Sequence, residues 1–190
     1  MKERLETDRL ILHRLEADDF DAWLQGNRID LENRTGARFP AALEPPPLFE
    51  EDMPAIRDQL RRSGDDPTTS TWLMLARSNG AAVGIAGFSQ SGDAVIAGYS
   101  VYPALRRIGL ATEGLQALLA WLFEQSGVER VRATIPPDNA PSIRVAEKLG
   151  MQLVGKDQDP QVGEVLLYEV GRGAQPSAEP GQESSSRAEA

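Results

Sequence analysis

A short basic segment near the middle of the chain has the residue types of an anion-binding loop. Residues 94–101, AVIAGYSV, read as a strand, and a long helix follows with apolar residues at helical spacing. Between the two stand Arg106, Arg107 and Gly109, with no acidic side chain before Glu113. The unpaired N–H groups at a helix N-terminus carry partial positive charge. This segment is therefore suited to a phosphate or pyrophosphate group.

Two common phosphate-binding motifs are absent from the chain. The sequence contains neither GxxxxGK followed by Ser or Thr, nor the GxGxxG pattern of dinucleotide-binding folds. What remains is Arg106-x-x-Gly109-x-Ala111, which an ordinary strand-to-helix turn could also produce. The flanking sequence must therefore decide between an anion site and a plain turn.

A second pattern follows at residues 131–151, VRATIPPDNAPSIRVAEKLGM, which reads as a strand, a turn and a helix. Its marked positions are Asn139, Ser142, Glu147, Lys148, Gly150 and Met151. Together the two patterns resemble the GNAT N-acetyltransferases, whose acyl-CoA loop has the form (Gln/Arg)-x-x-Gly-x-(Gly/Ala) and is followed by N-x-x-S and E-K-x-G-F. The resemblance extends from about Glu6 to Val170, and is nearest to the branch that contains the ribosomal-protein N-terminal acetyltransferases.

The resemblance implies an α/β (α+β) GNAT fold. Its mixed, mostly antiparallel sheet should have about six to seven strands, should splay between the fourth and fifth, and should be flanked by about four helices. Periodicity predicts strands at 6–15, 69–77, 82–90, 94–101, 130–135, 151–155 and 164–170. Helices are expected after Asp18 and Asp19 and at 49–62, 108–125 and 140–149, with a long loop at 28–47.

Length and composition predict one domain followed by a tail. The chain has 190 residues, of which 41% are hydrophobic, and this suits a single core over residues 1–170. Residues 171–190 contain no Leu, Ile, Val or aromatic residue. A segment of this composition cannot bury a core, so we expect it to be disordered.

Several classes of function are disfavoured by composition. The net charge is −9, which argues against general nucleic-acid binding. No apolar run is long enough to span a membrane and no signal peptide is evident, so a soluble, cytoplasmic monomer or homodimer is expected. With no cysteine and one histidine, the chain offers neither an acyl-cysteine nor a recognisable metal site.

The resemblance also implies which residues bind acetyl-CoA. Backbone N–H groups of Arg107–Thr112 would hold the pyrophosphate, Arg106 would support the charge, and the N–H of Val101 or its neighbour would meet the thioester oxygen. The full expected set is Tyr99, Val101, Arg106, Arg107, Ile108, Gly109, Leu110, Ala111, Thr112, Asn139 and Ser142.

Proton transfer is where the chain departs from its family. Many members carry a Tyr at the position of Ala146 and a Glu at that of Ile96, and neither residue is present here. Ser142 and Asn139 are the remaining catalytic candidates, although helix capping or a plain contact with coenzyme A would also account for them. No general base is evident.

The predicted function is direct transfer of an acetyl group from acetyl-CoA to an amine. A lysine side chain has a pKa of ~10.4 and a peptide α-amine ~7.7–8.0, so a site without a strong base favours the α-amine. An N-terminal α-amine of a protein or peptide is therefore the preferred acceptor. Two alternatives stay open: a small-molecule acceptor such as an antibiotic or polyamine, and a non-catalytic acyl-CoA-binding module.

Aromatic side chains are expected to line the acceptor side of the site. They are Trp23, Phe39, Trp72, Phe88 and Tyr99.

Overall fold

One mixed sheet organises the protein, whose computed structural model describes residues 3–40, 52–125 and 127–173. Within these ranges the sheet has eight strands: β1 (Arg4–Glu6), β2 (Leu10–Leu15), β3 (Ser70–Ala76), β4 (Ala82–Ser91), β5 (Ala94–Val101), β6 (Arg130–Ile135), β7 (Gln152–Asp159) and β8 (Gly163–Gly171). Their order is β1-β2-β3-β4-β5-β6-β8-β7. All neighbours are antiparallel except β5 and β6, which are parallel as the helical crossover between them predicts.

Five α-helices accompany the sheet in the described ranges: α1 (Ala17–Leu24), α2 (Arg28–Thr35), α3 (Met53–Ser63), α4 (Leu110–Gln125) and α5 (Ala140–Lys148). A short 3-10 helix, Pro103–Leu105, precedes α4. Among the residues described, no helix is long and apolar enough to cross a membrane. The predicted α/β class, with a mixed and mostly antiparallel sheet, is confirmed.

The core lies on both faces of the sheet because the central strand β3 is apolar on both sides. Trp72 and Met74 pack with the face covered by α4 and α5, whereas Leu73 and Leu75 pack with α1, α2 and α3. All four side chains are almost completely buried. Side chains alternate between the faces of a strand, so one strand joins both halves of the core.

The sequence predicted one strand over 6–15, whereas the structure has β2 at Leu10–Leu15 and a separate strand, β1, at Arg4–Glu6, which lies almost wholly before that segment. The Leu10 N–H donates to Thr7 Oγ1 at 2.9 Å and the Thr7 N–H donates to the Leu10 carbonyl at 2.9 Å, which closes a turn between β1 and β2. The two strands then pair antiparallel, with Leu5 opposite Leu12. This turn explains why the sheet has one strand more than expected.

The segment 28–47 was predicted as a loop, and this is wrong for its first part, which is α2. The side chain of Asn27 caps α2 by accepting from the Asp30 N–H at 3.2 Å, and Gly36 ends the helix in the left-handed conformation, with φ 71°. Ion pairs one turn apart, Arg28–Glu32 and Arg34–Asp30, support its exposed face. Residues 41–51 lie outside the described ranges, and so does the predicted start of α3.

The end of the domain also differs slightly from the prediction. Strand β7 extends four residues past 155, and β8 runs through Gly171. Arg172, which composition assigned to the tail, donates its backbone N–H to the Glu129 carbonyl at 2.8 Å. The remainder of the predicted tail, residues 174–190, lies outside the described ranges.

Candidate functional site

The parallel strands β5 and β6 separate after a short contact. They pair only through Val95 with Val131 and Ile96 with Arg132. Beyond this contact β5 continues to Val101 and β6 to Ile135, and β6 pairs instead with β8 on its other edge. The predicted splay is therefore present, and it leaves a gap in the middle of the sheet.

The backbone of β5 directs polar groups into this gap. On the other edge of β5, the N–H of Tyr102 donates to the Val83 carbonyl of β4 at 3.0 Å. Successive residues of a strand point their N–H and C=O groups to opposite edges. The backbone groups of Val101 and Tyr99 consequently face β6, where an extended ligand could bond them as an added strand does.

A cavity of about 300 Å³ opens beneath the gap. Its walls come from β5, β6, α4, α5 and the β7–β8 turn, and its lining is mainly apolar, including Leu115, Leu119 and Val145. Pockets with apolar walls and a few converging polar groups are typical of small-ligand sites. The polar side chains here include Tyr99, Asn139 and Ser142.

Two hydroxyl groups meet inside this cavity. The Tyr99 hydroxyl and Ser142 Oγ are 3.1 Å apart, within hydrogen-bond distance. Asn139 Oδ1 accepts from the backbone N–H of Ser142 at 3.2 Å and so caps α5. The structure thus gives Asn139 a capping contact and leaves the Ser142 hydroxyl available for Tyr99.

The Tyr99 hydroxyl is held in its neutral form. Burial raises the pKa of Tyr99 above its usual value, against smaller lowering effects from the Ser142 hydrogen bond and the Arg106 charge. A neutral phenol can donate a proton. The Tyr99 hydroxyl therefore keeps its proton at neutral pH and lies within hydrogen-bond distance of Ser142 Oγ.

The predicted anion loop is exposed at the adjacent end of α4. Arg106, Arg107, Ile108 and Gly109 are all exposed. Arg107, with φ 66°, is the only non-glycine residue of the described ranges with positive φ, and Gly109 has φ 83°. The α4 N-terminus follows directly, with the N–H groups of its first turn free of helical partners.

Arg106 has a structural contact that the sequence did not indicate. Its Nε donates to the Val101 carbonyl at 2.9 Å, so it ties the loop to the end of β5. Three other residues of α4 were predicted to bind acetyl-CoA. Leu110 is buried in the core, while Ala111 and Thr112 are half-buried in the first turn of α4. The segment Tyr99–Thr112 therefore runs from the cavity along the gap to the loop.

The positions that usually hold polar catalytic residues in the family are apolar here. Ala146 is buried among the cavity-lining residues of α5, and Ile96 lies at the last β5–β6 pair. Of the predicted aromatic wall, Tyr99 alone lines the cavity. The indole of Trp72 packs on that of Trp121 with ring centroids 4.9 Å apart, and Trp23 packs on Phe39 at 5.0 Å.

Asp159 is a cavity residue that the sequence analysis missed. It ends β7, and its carboxylate is the only one that lines the cavity in the described part of the chain. Its Oδ1 accepts from the N–H groups of Gln161 at 2.8 Å and Val162 at 3.1 Å. These bonds hold the carboxylate in the β7–β8 turn. The sequence signal was an Asp before a Pro and a Gly, which indicates a turn but not what the turn faces.

A second, larger cavity of about 610 Å³ lies elsewhere, against β2, α1 and α3. Two of the charged residues that line it are paired: Glu3 accepts from Arg14 at 3.1 Å, and Glu3 also accepts from the Trp121 indole at 2.6 Å. None of the residues that line this second cavity lies in the gap between β5 and β6. Within the described ranges, no cluster of His, Asp or Glu could hold a metal ion.

Comparison with known proteins gives a consistent result. A family model of the acetyltransferase (GNAT) domain matches residues 9–152. The "Uncharacterized N-acetyltransferase YjdG" of Bacillus subtilis is 27% identical over 161 residues, which are 82% of this chain and 93% of that protein.

Two solved structures are similar throughout. One, assigned to the GNAT acetyltransferase family and from Bordetella pertussis, has a TM-score of 0.66 and 28% identity, and the match covers 88% of this chain and 99% of that one. The other is RimL, the ribosomal L7/L12 α-N-protein acetyltransferase, in complex with coenzyme A. It has a TM-score of 0.65 at 16% identity, covering 91% of this chain and all of that one, so it supports the fold alone.

Proposed function

Because the chain belongs to the GNAT family of acetyl-CoA-dependent N-acetyltransferases, we propose that it moves the acetyl group directly to an N-terminal α-amine of a protein or peptide. The observation that carries this proposal is the gap between β5 and β6, which joins an exposed anion loop at one end to a cavity with paired hydroxyls. A long donor with a charged end and a reactive end fits this arrangement.

The charged end of the donor would bind at the N-terminus of α4. The N–H groups of Arg107–Thr112 supply partial positive charge there, and the side chains of Arg106 and Arg107 add to it. The pantetheine part would lie in the gap against the backbone of Tyr99 and the N–H of Val101, which face β6. These are the residues that the sequence analysis assigned to the donor.

The N–H of Val101 is the candidate donor to the thioester oxygen. Because it faces the gap, it can polarise the carbonyl and stabilise the negative charge that develops there. Removal of one such donor typically costs ~2.7–4 kcal/mol of transition-state stabilisation in acyl transfer. Its backbone carbonyl is already bonded to Arg106, which fixes the orientation of the strand end.

Transfer is direct because the chain has no cysteine to carry an acyl group. The neutral amine forms the new C–N bond and the C–S bond breaks. The nitrogen loses one proton to solvent water, sulfur gains one, and solvent afterwards returns a proton to Tyr99. We assign the proton for sulfur to Ser142, replenished by Tyr99, and give Asn139 the role of positioning Ser142 through the α5 cap. This relay takes the place of the residue missing at Ala146.

An α-amine acceptor suits a site whose described lining holds no strong base. About a tenth of such amines is neutral at pH 7, given a pKa of ~7.7–8.0, whereas a lysine amine is almost fully protonated. Asp159 would attract the amine in its charged form and hold it near the cavity. RimL, which shares the fold, is named as an α-N-protein acetyltransferase, so the fold itself is compatible with this acceptor class.

A small cationic amine is the second candidate acceptor, favoured by the modest cavity volume and the Asp159 carboxylate.

The initial rate against pH, measured for a peptide and for a polyamine, separates the two candidate acceptors. A peptide rate that rises and then levels near pH ~8 supports the proposal, because the α-amine is then neutral. Turnover of the polyamine alone would contradict it.

A further inference from the structure

Arg9, in the turn between β1 and β2, contacts the anion loop from a distant part of the chain. Its Nη1 donates to the Ile108 carbonyl at 2.8 Å, and its Nε donates to Glu113 Oε2 at 2.6 Å. Its backbone N–H donates to Glu113 Oε1 at 2.8 Å. A single residue therefore reaches both the loop and the first turn of α4.

Glu113 is held from the same turn by a further bond. Thr7 Oγ1 donates to Glu113 Oε1 at 2.5 Å, so both carboxylate oxygens are bonded. The Glu113 side chain is 18% exposed and that of Arg9 is 50% exposed. The Glu113 N–H in turn donates to the Gly109 carbonyl at 3.1 Å, which starts α4.

The bond to Ile108 fixes one peptide plane of the loop. In a trans peptide the C=O of one residue and the N–H of the next point in opposite directions. Because the Ile108 carbonyl points towards Arg9, the N–H of Gly109 points away from it, on the side opposite the β1–β2 turn. This is the orientation in which a loop N–H can bind an external anion.

The loop needs such support because its backbone is strained. Arg107 and Gly109 stand on either side of Ile108 in the left-handed region, with φ 66° and 83°. A non-glycine residue there is strained and persists only when its surroundings hold it. The loop side chains are exposed, so little core packing contributes.

We propose that Arg9, seated on Glu113 and Thr7, is a positioning residue that sets the loop in its pyrophosphate-binding conformation before the donor binds. This inference rests on the proposed use of acetyl-CoA. It concerns only the part of the donor that carries the pyrophosphate. Loss of Arg9 should leave the gap and the cavity unchanged.

The test compares two donors that differ in this part. Acetyl-CoA carries the pyrophosphate and acetyl-pantetheine does not. For Arg9→Ala we expect a dissociation constant for acetyl-CoA, measured by calorimetry, that is raised by about tenfold or more. The kcat/KM with acetyl-pantetheine as donor should stay at the wild-type value, which a general loss of structure would not allow.

Two further variants complete the design. Arg9→Lys keeps the charge but cannot bond Glu113 and Ile108 together as a planar guanidinium does, so an intermediate loss is expected. Arg77→Ala is the matched control: Arg77 Nη1 donates to the Thr7 carbonyl at 3.1 Å in the same turn, and its side chain is 53% exposed. It should bind acetyl-CoA as the wild type does.

The outcomes are distinguishable. If the wild type binds acetyl-CoA and Arg9→Ala binds it equally well, or if both donors suffer equally, the positioning role is wrong. If the wild type itself does not bind acetyl-CoA, the proposed function fails instead. Melting temperatures of the three variants identify any that fail to fold, and Arg9→Lys then carries the comparison.

Discussion

The hydroxyl of Tyr99 on β5 lies 3.1 Å from Ser142 Oγ on α5, inside the cavity beneath the gap in the sheet. The two residues are 43 positions apart in the sequence, and the crossover through α4 and β6 brings them together. Neither hydroxyl is needed to close the fold, because the α5 cap uses the backbone of Ser142 and the side chain of Asn139. The pair is therefore available for chemistry.

Ser142→Ala should lower kcat by roughly a hundredfold and leave the KM for acetyl-CoA nearly unchanged. General acid catalysis typically contributes a factor of this size or more. Tyr99→Phe should lower kcat less, and the double variant should lose little beyond Ser142→Ala because the two act as one relay.

Asn139→Ala removes the α5 cap but neither hydroxyl. A lost N-cap costs ~1 kcal/mol of stability, so the melting temperature should fall. Because Ser142 loses its positioning but keeps its hydroxyl, kcat should fall less than in Ser142→Ala. If the kcat of Ser142→Ala equalled that of the wild type, proton transfer through Ser142 and Tyr99 would be contradicted.

Gly109→Val should weaken acetyl-CoA binding far more than Arg106→Ala. A β-branched residue at φ 83° is strained by ~1–2 kcal/mol, and its Cβ would lie 3.3 Å from Arg9 Nη2. Arg106→Ala removes charge but leaves the backbone N–H groups in place. Calorimetry with acetyl-CoA measures both.

Gly92→Val is the matched control for backbone strain, because Gly92 also has positive φ and lies in the exposed β4–β5 turn away from the loop. It should lose stability without losing affinity. Equal losses in Gly109→Val and Arg106→Ala would mean that side-chain charge holds the pyrophosphate.

Asp159→Asn should raise the KM for a cationic acceptor several-fold while the KM for acetyl-CoA stays constant. The Asn oxygen can still accept from Gln161 and Val162, so the turn is kept and only the charge is lost. The difference from wild type should shrink as salt is added, because salt screens exposed charges. Asp157→Asn, an exposed neighbour on β7, should change nothing. Equal acceptor KM values for wild type and Asp159→Asn would remove Asp159 from the site.

Glu113→Gln should reduce the free energy of unfolding at pH 7, and this loss should become smaller as the pH is lowered. Partial burial alone would raise the Glu113 pKa, but the hydrogen bonds from Thr7 and Arg9 outweigh it and lower the pKa below 4.5. A lowered pKa in the folded state means that the stabilisation is present above the unfolded-state value and is lost as the pH falls through the folded-state value. Denaturant unfolding of both proteins over a series of pH values measures the difference in unfolding free energy. A difference that does not shrink as the pH falls would contradict this account.

The central part of the fold was predicted well because its strands and helices are indicated by residues that are close together in the sequence. Strands β3, β4 and β5 follow from apolar runs and turn residues, and α4 from helical periodicity. The α2 helix was missed although Asn27, Gly36 and the Arg28–Glu32 spacing are helix signals. Its apolar face is only one or two residues wide, with Leu31 buried, so periodicity alone was too weak to predict it.

The site was predictable only in part, for the same physical reason. The loop and the α5 pattern are contiguous motifs, and the structure brings them to one gap. Arg9 and Asp159 have no such motif, because their roles depend on contacts with residues far away in the sequence. Arg9 is 104 positions from Glu113. Sequence spacing alone could not have paired them.

The acceptor is the central claim, and mass spectrometry of acetylated peptides tests it most directly. Wild-type protein is mixed with acetyl-CoA and a lysine-free peptide that begins with Ala or Ser. A second reaction uses a peptide whose α-amine is blocked and which carries one lysine. We predict an acetyl group on the α-amine of the first peptide, with an equal amount of coenzyme A released, and no change in the second. Acetylation of the lysine peptide alone, or no release of coenzyme A with either, would contradict the account.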